Sequence, residues 1–323
     1  MKVSLKESGL TIGKFDGVHA GHARLLREAI MISRERGWTP AALTFDPHPA
    51  CVLAPERAPR PLMPLERRCA LMREMGIADI FVLHFTAEIA RLSPEEFVAQ
   101  YVRERMRARV VVVGENFRFG HMQAGDPRTL AELGARYGFQ VRLIAPVKRR
   151  GVVVSTSGIR GLVEAGNVSR AGRLLERPYA LVGEVVHGFG IGSRQTVPTL
   201  NLRPPAEVTP ANGVYITQTT DFDQKRRWNS VTNIGFRPTF GGQDLSIETY
   251  LLDPLEGPTP ARICVEFLHR LREERKFDSP EALKSQILND VSRAQGFFRR
   301  LTKWRRGDPQ TIPASRGYPP GAP

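Results

Sequence analysis

The sequence predicts a parallel, doubly wound α/β domain followed by a small antiparallel β-barrel with a terminal helix. Two changes of pattern along the chain carry that expectation. From residue 10 to about 145, short β-branched runs alternate with amphipathic helical stretches, the pattern of a parallel sheet covered on both faces. After Arg177-Pro178, about six strand-like runs follow one another across roughly 90 residues, separated by turns instead of helices. The first part therefore reads as Rossmann-like and the second as a barrel or sandwich.

In the first part the strand candidates are LTIG (10–13), AALTF (41–45), ADIFVLHF (78–85), RVVVVG (109–114) and FQVRLI (139–144). Helical stretches such as HARLLREAIMISRER and SPEEFVAQYVRERM lie between them. In the latter, Ser93 and Glu96 have the spacing of a capping box, and Pro94 suits the first helical position. The second part offers ALVGEVVHG, PTLNL, GVYITQT, WNSVTNIG, LSIETYLLD and ARICVEFL as strands. A helix is expected from Ser279 to about Arg299, with Ser-Pro-Glu again at its entrance. From Lys303 onward the chain is rich in Pro, Gly and Arg and reads as disordered. The expected domains are 1–180, 181–302 and a tail over 303–323.

The chain has 323 residues and a formal charge of +14, enough length for two cored domains and a bias toward anionic partners. Cys51, Cys69 and Cys264 lie far apart and form no CxxC, so neither a disulfide framework nor a zinc cluster is expected, and a reducing cytoplasm is the simple reading. No stretch approaches the roughly 20 apolar residues of a membrane span, and the first ten residues lack a signal-peptide core.

The stretch TIGKFDGVHAGH (11–22) joins the first strand to the first helix. A turn at the carboxyl end of such a strand is where ligands bind, and a helix entrance offers free N–H groups and a positive dipole end to an anion. Gly13, Gly17 and Gly21 permit close backbone approach, while His19 and His22 can donate to phosphate oxygens. The segment is neither a Walker A loop nor GxGxxG. Two histidines three apart could also serve zinc with a third ligand from elsewhere, or form a bland solvated turn.

GKFDGVHAGH resembles the (N/T)FDGxHxGH signature of the HxGH nucleotidyltransferases, specifically the bacterial bifunctional riboflavin kinase/FAD synthetases. The resemblance continues in order through TFDPHP, GENFRFG, VSTSGIR, RPYALVGEVVHG, VPTLNL, NGVY, NIGFRPTFGG, SIETYLLD and LREERKFDSPEAL. It implies a cytoplasmic enzyme that phosphorylates riboflavin to FMN with ATP and adenylylates FMN to FAD, with a divalent cation such as Mg²⁺. It places Gly13, Phe15, Asp16, Gly17, His19, Gly21 and His22 around ATP, and Ser155, Thr156, Ser157 and Arg160 as a second phosphate grip. The latter four open a helical stretch, where hydroxyls, amides and a cation converge; read alone, Ser157 is an N-cap and Arg160 a surface cation.

Asp16 has two readings, magnesium through water or orientation of the turn. Asn116 and Phe119 follow a strand end where the family binds nucleotide or flavin, and also read as a polar turn with one packed aromatic. His48, between two prolines, reads as structural at least as well as catalytic. In the second domain the resemblance implies Glu248 as the base or orienting group, and Thr199 and Asn201 as oxygen ligands for Mg²⁺. The loop carrying Gly188, Gly190, Gly192 and Arg194 would then lie on the phosphates.

The chain departs from the family at Lys14, Ile191, Ser193, Val197, Leu200 and Tyr250, the last replacing the histidine of ETH. It also lacks the usual lead-in before the first strand, which points to a trimmed or misassigned start. Two other readings stand beside the bifunctional enzyme. One is a monofunctional FMN adenylyltransferase whose barrel binds flavin without turning it over. The other is a nucleic-acid- or membrane-associated accessory protein using the basic C-terminus, where seven Lys/Arg face one Asp from Arg293 onward. The bifunctional reading requires no nucleic acid and no membrane, and leaves the oligomeric state open.

Overall fold

A computed structural model describes residues 6–186, 199–239 and 242–307. The chain divides into two compact units, Met1–Thr156 and Ser157–Pro323.

The first unit is built on five strands, β1 (Ser8–Ile12), β2 (Thr39–Asp46), β3 (Asp79–His84), β4 (Ala108–Gly114) and β5 (Gln140–Ile144). Their order in the sheet is β3-β2-β1-β4-β5, and every neighbouring pair is parallel. Helices α1 (Ala20–Arg36), α2 (Pro49–Leu53), α3 (Leu65–Met75), α4 (Ala87–Arg91), α5 (Pro94–Phe97) and α6 (Pro127–Tyr137) connect them. Period-two alternation sorts the apolar side chains of β4 onto opposite faces. Val111 and Val113 pack with Leu10, Phe97 and Leu130, whereas Val110 and Val112 pack with Ala29 and Ile144. Both faces are buried, as the apolar strands require.

The capping box at Ser93 is present. Glu96 N–H donates to Ser93 Oγ at 3.2 Å, and Glu96 Oε2 accepts from Ser93 N–H at 2.8 Å. The single helix expected to follow instead widens into π-helical turns over Val98–Arg105. The unit ends with a short hairpin, β6 (Lys148–Arg149) and β7 (Val152–Val153).

Helix α7 (Thr156–Glu164) starts at the last residue of the first unit, and α8 (Val168–Leu175) follows. The sequence pattern changes near residue 180, but the units divide earlier because α8 packs on barrel strands. Ser169 Oγ, for instance, donates to the Leu268 carbonyl at 2.7 Å. The barrel strands are β8 (Tyr179–Val186), β9 (Thr199–Leu202), β10 (Gly213–Asp221), β11 (Arg227–Thr239), β12 (Gly242–Leu251) and β13 (Arg262–Arg272). They close in the order β10-β11-β12-β9-β8-β13, with each neighbour antiparallel. Closure removes the exposed edges that would otherwise template aggregation.

The barrel interior carries a ladder of hydroxyls. Thr217 Oγ1 lies 2.8 Å from both Ser230 Oγ and Thr232 Oγ1, Thr219 Oγ1 is 2.8 Å from Ser230, and Thr232 is 3.0 Å from Thr249. All five side chains are fully buried, so each hydroxyl must find its partner inside the protein. On the outer face Val214, Ile216 and Val231 pack against Ala294 and Phe298 of α9 (Pro280–Gly307). That helix continues past the expected end at Arg299, because Phe297, Phe298 and Leu301 keep an apolar face on the barrel. Residues 308–323 lie outside the described residues.

The hydroxyl ladder makes a stability prediction. Thr232→Val keeps the shape but removes a hydroxyl bonded to both Thr217 and Thr249. It should destabilise the barrel by about 1–3 kcal/mol, read as a lower midpoint for the barrel transition in urea.

Candidate active sites

In the first unit the strand order reverses between β1 and β4. Such a switch point leaves a crevice at the carboxyl ends of the strands. The Gly13–His22 turn leaves β1 there, and GENFRFG leaves β4 beside it.

The turn is held tightly. Phe15 is fully buried with φ 50°, Gly17 has φ 82° and Val18 φ 35°, so one glycine and two side-chain-bearing residues occupy left-handed backbone. Such conformations persist only when the surroundings enforce them. The Phe15 ring lies over Gly13, 3.1 Å from where a Cβ would sit. Asp16 is buried, and its Oδ1 accepts the Leu62 N–H at 2.8 Å, which fits a carboxylate that orients the turn. Its carbonyl accepts from Thr156 Oγ1 at 3.3 Å, tying the entrance of α7 to the same turn.

His19 is the N-cap of α1, and its Nδ1 accepts the His22 N–H at 3.3 Å. That bond makes Nε2 the proton-bearing nitrogen of the neutral ring, and hence a donor. The two imidazoles stack 3.6 Å apart at 14°. No cluster of three or more His, Cys, Asp or Glu suited to a metal occurs among the described residues.

Two features escaped the sequence reading. Arg68 of α3 is buried; it donates to the Lys14 carbonyl at 2.6 Å and the Phe45 carbonyl at 3.3 Å. It thereby ties the ends of β1 and β2 together. Burial pushes its pKa down, and the negative charge of Asp16 opposes that shift. Arg68 sits in the run LERR, which reads as an ordinary solvent face. The second feature is an aromatic rim at the strand ends. Phe45 meets Phe85 edge-on at 5.9 Å, and Phe117 stacks on Phe119 at 5.4 Å. Asn116 is exposed at the same turn, and Phe119 is buried. His48 caps α2 by accepting the Ala50 N–H at 3.1 Å, the structural role. Lys14 is exposed. Ser155 and Thr156 are half-buried at the end of the first unit, while Ser157, exposed, and Arg160, half-buried, follow on α7 in the second.

In the barrel, Glu248 of β12 is half-buried and pairs in register with Asn201 of β9 and Asn233 of β11. Thr199 pairs with Tyr250. Ser246 Oγ donates to Glu248 Oε1 at 3.0 Å, and Tyr250 OH donates to Oε2 at 3.3 Å. Asn233 and Tyr250 also line a cavity of about 190 Å³ that reaches Phe277, Leu283 and Ile287. Its floor is braced by the Arg272–Asp290 ion pair at 2.9 Å. The sequence singles out Glu248, Thr199 and Asn201, which the strand register brings together, but not the cavity, whose lining comes from separate strands, a loop and α9. Gly188, Gly190, Gly192 and Arg194 lie outside the described residues.

Comparison with known proteins gives each unit its own match. The model of the FAD synthetase family matches residues 2–158, and that of the riboflavin kinase family matches residues 175–298. The bifunctional riboflavin kinase/FMN adenylyltransferase of Escherichia coli K12 is 32% identical over 90% of this chain and 92% of its own. The chain belongs to that family. The Pseudomonas fluorescens member is 35% identical over 88% of this chain and 91% of its own, and the Bacillus subtilis member 32% over 94% and 96%. A solved structure described as a macrolide-efflux protein from Streptococcus pneumoniae is similar with a TM-score of 0.82 and 28% identity, covering 90% of this chain and 94% of its own. Among the described residues no helix is long and apolar enough to cross a membrane.

Gly21 tests the first site by separating stability from activity. An added Cβ would sit 3.1–3.2 Å from the His19 ring, forcing the imidazole to shift, although alanine favours a helix over glycine by up to ~1 kcal/mol. Gly21→Ala should therefore leave the melting temperature unchanged or slightly raised while FAD formation from FMN falls about tenfold.

Proposed function

We propose that the barrel unit phosphorylates riboflavin and that the parallel-sheet unit adenylylates the resulting FMN, each drawing on ATP. The observation that carries this reading is that each compact unit holds one family match and one candidate site.

In adenylyl transfer a phosphate oxygen of FMN attacks the α-phosphorus of ATP. The bond from that phosphorus to the bridging oxygen breaks, and pyrophosphate leaves. The nucleophile is already ionised, so the protein's task is positioning and neutralisation of charge. Gly13, Phe15, Asp16, Gly17 and Gly21 shape the turn, and His19 and His22 donate to the triphosphate. Ser155 and Thr156, at the end of the same unit, extend the phosphate grip. The entrance of α1, with the positive end of the helix dipole, supports that assignment. Asn116 and the aromatic rim suit a flavin ring.

In the kinase half the primary hydroxyl of riboflavin attacks the γ-phosphorus, ADP leaves, and the hydroxyl proton passes to Glu248. A neutral nucleophile makes such a base useful. The cavity beside Tyr250 has the apolar walls a flavin ring needs. Thr199 and Asn201 fit a magnesium ion, since they offer hard oxygen donors next to a carboxylate across the strand pair. When bound, the ion would neutralise ATP phosphates. Glu248 held by two hydroxyls favours an active kinase over a barrel that only binds flavin. The wide spacing of Cys51, Cys69 and Cys264 supports a reducing, cytoplasmic setting.

Incubation with ATP, Mg²⁺ and either riboflavin or FMN, followed by separation of the flavins, tests both halves. Riboflavin should yield FMN and FAD, and FMN should yield FAD; no FAD from FMN sinks the first assignment. Glu248→Ala should lower riboflavin phosphorylation by about 10²-fold or more while leaving adenylylation of supplied FMN intact. Replacing His19 and His22 together by alanine should give the reverse pattern.

A further inference from the structure

Tyr250 joins two features of the barrel that the reaction needs to act together. It lines the cavity alongside Asn233 and Phe277. Its hydroxyl also donates to Glu248 Oε2 at 3.3 Å, while Ser246 Oγ holds Oε1 at 3.0 Å. The arrangement follows from strand geometry. Residues 246, 248 and 250 alternate onto one face of β12, and the intervening Ile247 and Thr249 are buried in the barrel. A carboxylate with a hydroxyl on each oxygen has its plane fixed. The same phenol that fixes it presents its ring to the cavity.

We propose that Tyr250 is the positioning residue of the kinase half: its ring seats the flavin, and its hydroxyl aims the Glu248 carboxylate at the hydroxyl of that flavin. The inference rests on the kinase reading above and goes beyond it by assigning a role to a residue where the family pattern has histidine. The 3.3 Å contact is long for an O–H···O bond, and contacts of this kind shorten when substrate fills a site. A ring nitrogen of histidine at the same place can also donate to Oε2, so the two residue types meet one requirement in different ways.

The test uses the full chain and three variants, with riboflavin and FMN assayed separately. Tyr250→Phe keeps the ring and removes the donor; kcat for riboflavin phosphorylation should fall about tenfold, the worth of one hydrogen bond to a charged group, with KM for riboflavin within about twofold. Tyr250→His should retain most of kcat. Tyr250→Ala should lower kcat and also raise KM. Adenylylation of supplied FMN should match wild type in all three, and an unchanged urea midpoint for the barrel transition establishes that each variant's barrel is folded. Unchanged kcat in Tyr250→Phe overturns the proposal, as does a rise in KM alone, which would make Tyr250 a wall of the cavity and nothing more. Wild-type protein that makes FAD from FMN but no FMN from riboflavin removes the kinase reading itself, and the inference falls with it.

Discussion

Everything in the first unit depends on how the chain gets from the last residue of β1 to the first turn of α1. The link is Gly13 to His19, and almost every residue in it is held by something from elsewhere. The Lys14 carbonyl takes hydrogen bonds from Thr44 and Arg68, Asp16 holds the Leu62 amide, and His19 closes the helix end. A short link at the sheet's switch point needs this bracing, because two of its non-glycine residues stay in left-handed backbone. The bracing fixes where α1 begins and so sets the positive end of its dipole at the sheet's switch point.

The barrel solves a different problem. Its nucleophile is a neutral hydroxyl, so an oriented base matters more than a concentration of donors. The strand provides orientation almost for nothing, since alternate side chains share a face and Ser246, Glu248 and Tyr250 line up on it. The inner face is then free to be filled differently. The threonine and serine ladder satisfies itself there, and the cross-strand hydroxyl pairs bind the register of β10, β11 and β12 together.

Much of this was legible in the sequence. Alternation of apolar runs with helical stretches gave the parallel sheet, and strand after strand gave the barrel, because burial on one or two faces dictates those periods. The order of motifs along the chain points to the turn after β1 and to Glu248 as candidate site residues. Other features were hidden for physical reasons. Arg68 has the sequence context of a solvated helix face; only the fold turns it inward to two carbonyls. The cavity beside Tyr250 is assembled from distant segments, so no local window contains it. The overrun of α9 beyond Arg299 depends on the barrel surface that receives Phe298 and Leu301. The π-helical widening at Val98–Arg105 had no signal in the helical spacing.

The hydrogen bond from Thr156 to the Asp16 carbonyl spans 140 residues of chain. Its two ends are nearly the first and last parts of the unit to be synthesised, and β1 itself lies between β2 and β4. A growing chain on the ribosome can pair β1 with β2 early, but it cannot finish the turn after β1 until Thr156 has emerged. At typical synthesis rates of about 5–20 residues per second, the nascent protein spends many seconds with that turn unfinished. The turn after β1 is thus among the last parts of its unit to be completed.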